Sequence, residues 1–154
     1  RDLPVELARL VIEGDAIAPL MLLQAFLPGM IASGRGVFVQ LTSGAASLAP
    51  RAPSGEGGWG VAYAMAKGAV HRIAGVLHAE HGADGLCAYS LNPGHVTTEV
   101  MRHRAEREGR EVTGRGPDDT VTTVVWLLDG SPEAKALSGQ EVIARDIARA
   151  LAGG

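Results

Sequence analysis

Cysteine is almost missing from this chain, which limits the kinds of protein it can be. The 154 residues contain one cysteine, Cys87, so no disulfide can form within the chain. Cys87 lies in an apolar run with the composition of a strand, where an inert core thiol is the usual occupant. A single unpaired thiol is also typical of proteins in reducing compartments, and we therefore expect a cytoplasmic protein.

An excess of charge of either sign is also lacking. The formal net charge is −3 and the pI is near 5.9, so nothing in the composition attracts nucleic acid or an anionic membrane. We expect neither as a partner. Hydrophobic residues make up 46% and charged residues 20% of the chain, which excludes a disordered protein. At this length we expect a single domain over residues 1–154.

No long hydrophobic run continues without interruption. The most apolar segment, Ala16–Ala32, contains Pro19, Gln24 and Pro28 and is short for a membrane-spanning helix. We therefore predict that this segment is a buried core helix. The segment that begins with Arg1-Asp2-Leu3-Pro4 is charged and amphipathic, which differs from a secretory signal peptide.

Metal ligands are scarce as well. His78 and His81 are three residues apart on a predicted helix, a spacing that metal ligands can have. Two histidines alone do not complete a metal site, so the sequence predicts none. His71 and His103 are expected to be solvated helix residues.

The chain does contain alternating signals for helices and strands. Strand-like runs are short, apolar and rich in β-branched residues, whereas helical segments show apolar residues at intervals of three and four. The predicted order is helix 4–31 with breaks at Gly14 and Pro19, strand 37–43, helix 61–81, strand 86–91, helices 97–109 and 117–128, and strand 140–144. This alternation predicts a parallel α/β sheet with three recognisable strands and flanking helices.

Tyr63 and Lys67 form the most informative pair in the sequence. Because they are four residues apart, they lie on the same face of the predicted helix. Tyrosine ionises near pH ~10 in isolation, and a neighbouring ammonium group favours its charged form. Ser43 stands at the end of the first predicted strand, where its hydroxyl can hold the oxygen of a carbonyl or an alcohol while Tyr63 transfers the proton. These three residues predict carbonyl reduction or alcohol oxidation.

The same residues, with two further motifs, resemble the short-chain dehydrogenase/reductase family. Ser43, Tyr63 and Lys67 match its catalytic serine and its Tyr-x-x-x-Lys pair. Asn92-Pro93-Gly94-His95-Val96-Thr97-Thr98 is similar to the family's Pro-Gly motif, and Ser138-Gly139-Gln140 is similar to the entry to its last strand. The matches occur in the family's order and span nearly the whole chain.

This resemblance implies a Rossmann-like three-layer α/β/α fold and an NAD(P)-dependent oxidoreductase acting on a small carbonyl or alcohol. Tyr63 would be the general acid and base, Ser43 would position the substrate oxygen, and Lys67 would favour ionisation of Tyr63. The resemblance assigns cofactor contacts to Tyr63, Lys67, Pro93, Gly94, Val96 and Thr98. It also implies a homodimer or homotetramer formed through the helices at 16–31 and 61–81.

The sequence departs from the family at two points. Counting back from Pro28-Gly29-Met30 places Asp15 at the position of the family's catalytic asparagine. An aspartate lacks the amide donor of asparagine, so Asp15 is either a changed catalytic residue or an ordinary acid near a helix break.

The second departure is the glycine-rich strand–turn–helix that binds pyrophosphate in the family, which nothing in this sequence resembles. The chain therefore resembles the C-terminal half of such an enzyme, and NAD cannot be distinguished from NADP. The alternative to an enzyme is a truncated, non-catalytic fragment or a dimerisation module that does not bind dinucleotide alone.

Overall fold

The computed structural model describes residues 3–109 and 111–153. The helices are α1 (Val5–Ile12), α2 (Ala18–Ser33), α3 (Val61–His71), α4 (Ile73–His81), α5 (Glu99–Glu108), α6 (Asp118–Asp129), α7 (Pro132–Lys135) and α8 (Ala144–Ala152). The strands are β1 (Val37–Leu41), β2 (Cys87–Asn92) and β3 (Glu141–Ile143). The predicted elements are confirmed in type and order, and their ends differ by a few residues from the prediction.

The three strands form one parallel sheet in the order β1-β2-β3. Val37 pairs with Cys87 and Leu41 with Leu91, so β1 and β2 end side by side. Ser90 pairs with Glu141, which places the short strand β3 along the second half of β2. The parallel sheet predicted from the sequence is therefore confirmed.

The central strand β2 is buried on both of its faces, and alternate side chains enter two separate cores. One cluster consists of Tyr89, Leu91, Leu127, Ala134, Val142 and Ala144. The other consists of Leu23, Ala74, Leu77, Leu86 and Ala88. Because successive side chains of a strand point to opposite faces, residues 88 and 89 meet helices on opposite sides. Helices thus cover both faces, which confirms the three-layer arrangement.

The first predicted helix is not broken at Gly14 or Pro19. A π-helical turn, Glu13–Ile17, joins α1 to α2 without an interruption. In this widened turn the amide of Ala18 donates to the carbonyl of Glu13, five residues back. Pro19 follows directly and has no amide hydrogen to contribute. The wide turn accommodates the proline, and the helical path continues from Val5 to Ser33.

The prediction that Ala16–Ala32 is a buried core helix is wrong for this chain by itself. Leu23 is the buried residue of α2, while Met21, Leu22 and Phe26 are each about three-fifths exposed. By length and composition alone, Val5–Ser33 also meets the requirement for a helix that crosses a membrane. Sequence hydrophobicity predicts that a surface needs covering, and it does not identify what covers it.

Candidate active site

The carboxyl ends of β1 and β2 bring the predicted site residues to one edge of the sheet. The amide of Thr42 donates to the carbonyl of Leu91 at 2.8 Å, which extends the pairing one residue beyond β1. Ser43 follows Thr42, and Pro93 follows directly after β2. In open α/β sheets this edge is where ligands bind.

Ser43 begins the connection from β1 to α3. Its Oγ accepts a hydrogen bond from the amide of Ala45 at 3.2 Å and so caps a short 3₁₀ turn, Gly44–Ala46. Helix α3 packs against this turn. A hydroxyl that accepts one hydrogen bond can still donate its own hydrogen. The capping contact therefore leaves Ser43 able to hold an oxygen of a substrate.

Tyr63 and Lys67 lie together on α3, as their spacing predicts. Tyr63 is in the first turn of the helix and is 37% exposed, whereas the Lys67 side chain is 14% exposed. The Lys67 Nζ lies 5.7 Å from the centroid of the Tyr63 ring. It also donates to the carbonyl of Leu41 at 3.5 Å. Lys67 thus connects the helix that carries Tyr63 to the last residue of β1.

Asp15 also reaches this site, although it is far from Lys67 in the sequence. It lies in the π-helical turn between α1 and α2, and its Oδ1 is 3.7 Å from the Lys67 Nζ. The Asp15 side chain is 37% exposed. The ammonium group of Lys67 therefore interacts with three partners: an aromatic ring, a backbone carbonyl and a carboxylate.

The turn after β2 is held by the side chain of Asn92. The Asn92 Oδ1 accepts from the amide of Gly94 at 3.0 Å, and its Nδ2 donates to Glu141 Oε1 at 2.9 Å. Gly94 has φ +72°, a left-handed conformation that glycine adopts without strain. Hydrogen bonds of Asn92 therefore connect the Pro93-Gly94 turn to β3.

The segment beyond this turn is fixed by backbone pairing. Val96 pairs with Arg115 in an isolated bridge, and the amide of Thr97 donates to the carbonyl of Arg115 at 2.8 Å. Thr98 caps α5, because its Oγ1 accepts from the amide of Met101 at 3.3 Å. The Thr98 hydroxyl, like that of Ser43, can still donate a hydrogen.

The second tyrosine of the chain, Tyr89, has a different environment. It is fully buried in β2, and its hydroxyl donates to the carbonyl of Ala134 at 3.0 Å. Burial, and then the contact with Cys87, raises the pKa of Tyr89 above its ordinary value. Tyr89 is therefore a core residue, and Tyr63 is the tyrosine at the edge of the sheet.

The prediction that His71 is a solvated helix residue is wrong. Its Nδ1 lies 3.0 Å from the Oγ1 of Thr42, the buried residue that precedes Ser43. A signal for this contact was present in the sequence, since Tyr63, Lys67 and His71 follow one another at intervals of four on the same helix face. His78 and His81, by comparison, contact Ser138 and Asp84. No cluster of three potential metal ligands occurs in residues 3–109 and 111–153.

Comparisons of the sequence with known proteins point to one family. The family model described as short chain dehydrogenase matches residues 2–109. A galactitol 2-dehydrogenase (L-tagatose-forming) from Cereibacter sphaeroides is 35% identical over 123 residues, which cover 75% of this chain and 46% of that protein.

Solved structures also share the fold. An NAD(P)-dependent gluconate 5-dehydrogenase from Beutenbergia cavernae, with bound NADP, has a TM-score of 0.76 at 23% identity, covering 97% of this chain and 60% of that one. A 3-oxoacyl-[acyl-carrier protein] reductase with bound NAD from Brucella melitensis has a TM-score of 0.71 at 23% identity, covering 92% and 52%. At these identities the structures show the fold alone, and this chain spans about half the length of the relatives it matches.

Proposed function

Because this chain belongs to the short-chain dehydrogenase family, we propose that it is an NAD(P)-dependent oxidoreductase that interconverts a carbonyl and an alcohol. One observation supports this proposal most directly: Tyr63 and Lys67 lie together at the edge of the sheet that carries Ser43. The Lys67 Nζ is 5.7 Å from the centroid of the Tyr63 ring. The substrate is a small molecule whose oxygen reaches Ser43 and Tyr63.

In this proposal each side chain has one task. The Ser43 hydroxyl donates to the substrate oxygen and so orients the carbonyl toward Tyr63. Tyr63 gives its proton to that oxygen during reduction and takes it back during oxidation. The ammonium group of Lys67 stabilises negative charge on the Tyr63 oxygen. When bound, the reduced nicotinamide supplies the hydride for the carbonyl carbon, and the chain supplies position and the proton.

Asp15 is part of this proposal because its carboxylate contacts Lys67. The carboxylate holds the ammonium group near the end of β1, which limits the motion of a long side chain. Its negative charge also offsets part of the electrostatic effect that the ammonium group would otherwise have on Tyr63. We therefore assign Asp15 an indirect role through Lys67.

The edge beyond β2 fits a nicotinamide. Apart from Gly94 and its two chain neighbours, no atom of the described residues lies within 4 Å of the point where a Cβ on Gly94 would be, so there is open space beside the turn. The Thr98 hydroxyl can donate to an amide carbonyl there, and Pro93, Gly94 and Val96 contribute backbone. Lys67 would contact the ribose. Since the related structures hold NADP in one case and NAD in another, we propose either dinucleotide.

Replacement of Tyr63 tests this function. Nicotinamide fluorescence would measure binding of NADPH and NADH, and a panel of aldehydes and ketones would measure turnover. In Y63F we expect turnover to fall by about 10²–10⁴-fold, the usual contribution of a general acid, because the phenol that donates the proton is gone. Binding of the dinucleotide should remain within about twofold, since Lys67 and the Gly94 turn are unchanged.

The matched control is Y89F, which removes the other phenol of the chain. The Tyr89 hydroxyl bonds to Ala134 inside the core, and in the described part of the chain this bond does not reach Ser43, Tyr63 or Lys67, so turnover should not change. Y63F with wild-type turnover would remove Tyr63 from the mechanism.

The alternative function is a non-catalytic module of the same family. The observation in its favour is that β1, in the described part of the chain, pairs with β2 alone and so has an open edge. An open parallel edge invites association with another polypeptide. Failure of the wild-type chain to bind either dinucleotide, together with the absence of turnover, would favour this alternative.

We further propose that the chain associates with itself in the cytoplasm, as a dimer or tetramer, through residues 16–31 and 61–81. Met21, Leu22 and Phe26 in the first segment and Val61 and Met65 in the second are exposed apolar residues. Exposed apolar side chains of this number favour a surface that is covered in solution.

A further inference from the structure

His71 forms a hydrogen bond that the proposed chemistry does not use. Its Nδ1 lies 3.0 Å from the Oγ1 of Thr42, a residue that is 3% exposed. The two residues are 29 positions apart in the sequence, so the contact is tertiary. Because the Thr42 hydroxyl can donate or accept, either tautomer of the histidine ring can form this bond.

This bond is one of two that attach the end of β1 to α3. The carbonyl of Leu41 accepts from Lys67, and the hydroxyl of the next residue, Thr42, bonds to His71. Lys67 and His71 are one helical turn apart. Leu41, the last residue of β1, and Thr42, which follows it, are therefore attached to two consecutive turns of the helix.

The helix is held to the neighbouring strand at the same position. The Oγ of Ser90, a buried residue of β2, donates to the carbonyl of His71 at 2.8 Å. Here α3 ends and α4 begins, and the amide of Arg72 bonds to Ala69 rather than four residues back. His71 thus contacts β1 through its ring and β2 through its backbone.

Ser43 depends on these attachments. Its own side chain bonds to Ala45 in the short turn that packs against α3, and this turn holds Ser43 from the side that follows it. Thr42, directly before it, is fixed to β2 through its amide and to α3 through its hydroxyl.

We propose that His71 is a positioning residue that fixes the strand end carrying Ser43 against the helix carrying Tyr63 and Lys67. This inference rests on the proposed function for its catalytic consequence, while its structural consequence can be measured without turnover. Displacement of reacting groups by about 1 Å can lower a rate by about 10²-fold, so loss of this attachment should lower kcat more than it weakens binding.

Two substitutions of His71 test the inference. H71L removes the hydrogen bond, whereas H71Q keeps a polar group that can reach the Thr42 hydroxyl. The matched controls are H78L and H78Q, because His78 also bonds a hydroxyl through Nδ1 at 3.0 Å, that of Ser138. Ser138 contacts the amide of Ala88 near the amino end of β2, away from the edge that carries Ser43.

The first measurement is NMR of the 154-residue chain with labelled tyrosine and labelled backbone amides. The chain contains two tyrosines, so Tyr89 serves as the internal reference for Tyr63. We expect H71L to shift the signals of Ser43, Gly44 and the Tyr63 ring, H71Q to shift them less, and the His78 variants to leave them unchanged. Equal shifts in H71L and H78L, or unshifted Ser43 signals in H71L, would overturn the proposal.

The second measurement is steady-state kinetics with the dinucleotide and a carbonyl substrate. We expect H71L to lower kcat by about 10-fold or more, within the range for a misplaced catalytic group, and H71Q to recover part of the loss. Dinucleotide affinity should change by less than about twofold, because the Gly94 turn is not involved. A wild-type chain that does not turn over would contradict the proposed function, and the NMR result would still decide the role of His71.

If H71L does not fold, T42V provides the same test from the strand side. It removes the hydroxyl partner and keeps the volume of the side chain. T42V should shift the signals of Ser43 and Tyr63, and unshifted signals in a folded T42V would overturn the proposal.

Discussion

Thr120 and Thr123 lie one turn apart on α6 and differ in what their hydroxyls contact. The Thr123 Oγ1 shares its one hydrogen between the carbonyl oxygens of Asp119 at 2.8 Å and Ala144 at 3.0 Å, and Thr123 is fully buried. Among the described residues, the Thr120 Oγ1 is a buried side-chain oxygen without a hydrogen-bond partner. A buried hydroxyl without a partner costs about 1–3 kcal/mol of folding free energy.

Valine substitutions should therefore have opposite effects at these two positions. T120V replaces the unpartnered hydroxyl with a methyl group, and we expect the free energy of unfolding to rise by about 0.5–1 kcal/mol. T123V removes the hydrogen bond to Ala144 between two elements, and we expect a loss of about 1 kcal/mol. Urea unfolding followed by circular dichroism measures both. A T120V chain as destabilised as T123V would contradict this account of Thr120.

Among the proposed site residues, the sequence predicted the contact that is local. Tyr63 and Lys67 meet because they lie one turn apart on one helix, which spacing alone determines. Asp15 was placed by resemblance, and its contact with Lys67 depends on how α1 and the π-helical turn pack against α3. His71 was wrongly expected in solvent: its spacing places it on the helix face of Tyr63 and Lys67, but its bond to the Thr42 hydroxyl depends on tertiary packing.

At the scale of elements, two glycines determine how α2 and β2 approach each other. Gly85 precedes β2 with φ +84°, and a Cβ there would collide with the carbonyl oxygen of Gly34 at the end of α2. Gly34 has φ +64°, and no described atom outside Gly34 and its local chain neighbours lies within 4 Å of its Cβ position. The two glycines thus share a left-handed conformation and differ in the space around them.

Alanine at these positions separates conformational strain from collision. We expect G34A to lower the free energy of unfolding by about 1–2 kcal/mol, the cost of a left-handed conformation for a residue with a Cβ. We expect G85A to cost about 1–3 kcal/mol more, because the backbone of Gly34 must also move. Thermal and urea unfolding of the two variants would test this, and equal losses would show that the collision is relieved without cost.

Element ends were less accurately predicted than element types. The segment 61–81 was predicted as one helix, and it is divided at Arg72, where the His71 carbonyl bonds to Ser90. The breaks predicted at Gly14 and Pro19 are absent because the π-helical turn accommodates the proline. The helix ends were therefore decided by a tertiary contact in the first case and by a local change of backbone hydrogen bonding in the second, and the pattern of apolar residues indicates neither.

At the scale of the whole molecule, exposed apolar side chains on α2 and α3 lead us to expect self-association in solution. Leu22 is 61% exposed on the apolar helix α2, and Val100 is 77% exposed on the polar helix α5. A glutamate at position 22 adds a negative charge to the proposed interface, whereas a glutamate at position 100 adds the same charge to a different surface.

We expect the wild-type chain to associate and L22E to be monomeric, because a buried carboxylate is strongly disfavoured in an apolar interface. V100E should associate like the wild type. Light scattering after size-exclusion chromatography, over a range of chain concentrations, measures the mass of each. A monomeric wild-type chain at the highest concentration, or an L22E chain that still associates, would contradict self-association through α2.

Patterns between near neighbours determined the strands, the helices and the pairing of Tyr63 with Lys67, because these depend on backbone periodicity and on spacing within one helix. Motif order was sufficient for the family, and the reaction remains the proposal made from it. Packing between distant segments decided the rest: the meeting of Asp15 with Lys67, the bond between His71 and Thr42, and the exposure of α2. Hydrophobicity is a property of a residue, whereas burial is a property of what packs on it, and the tertiary structure alone shows which apolar faces are covered.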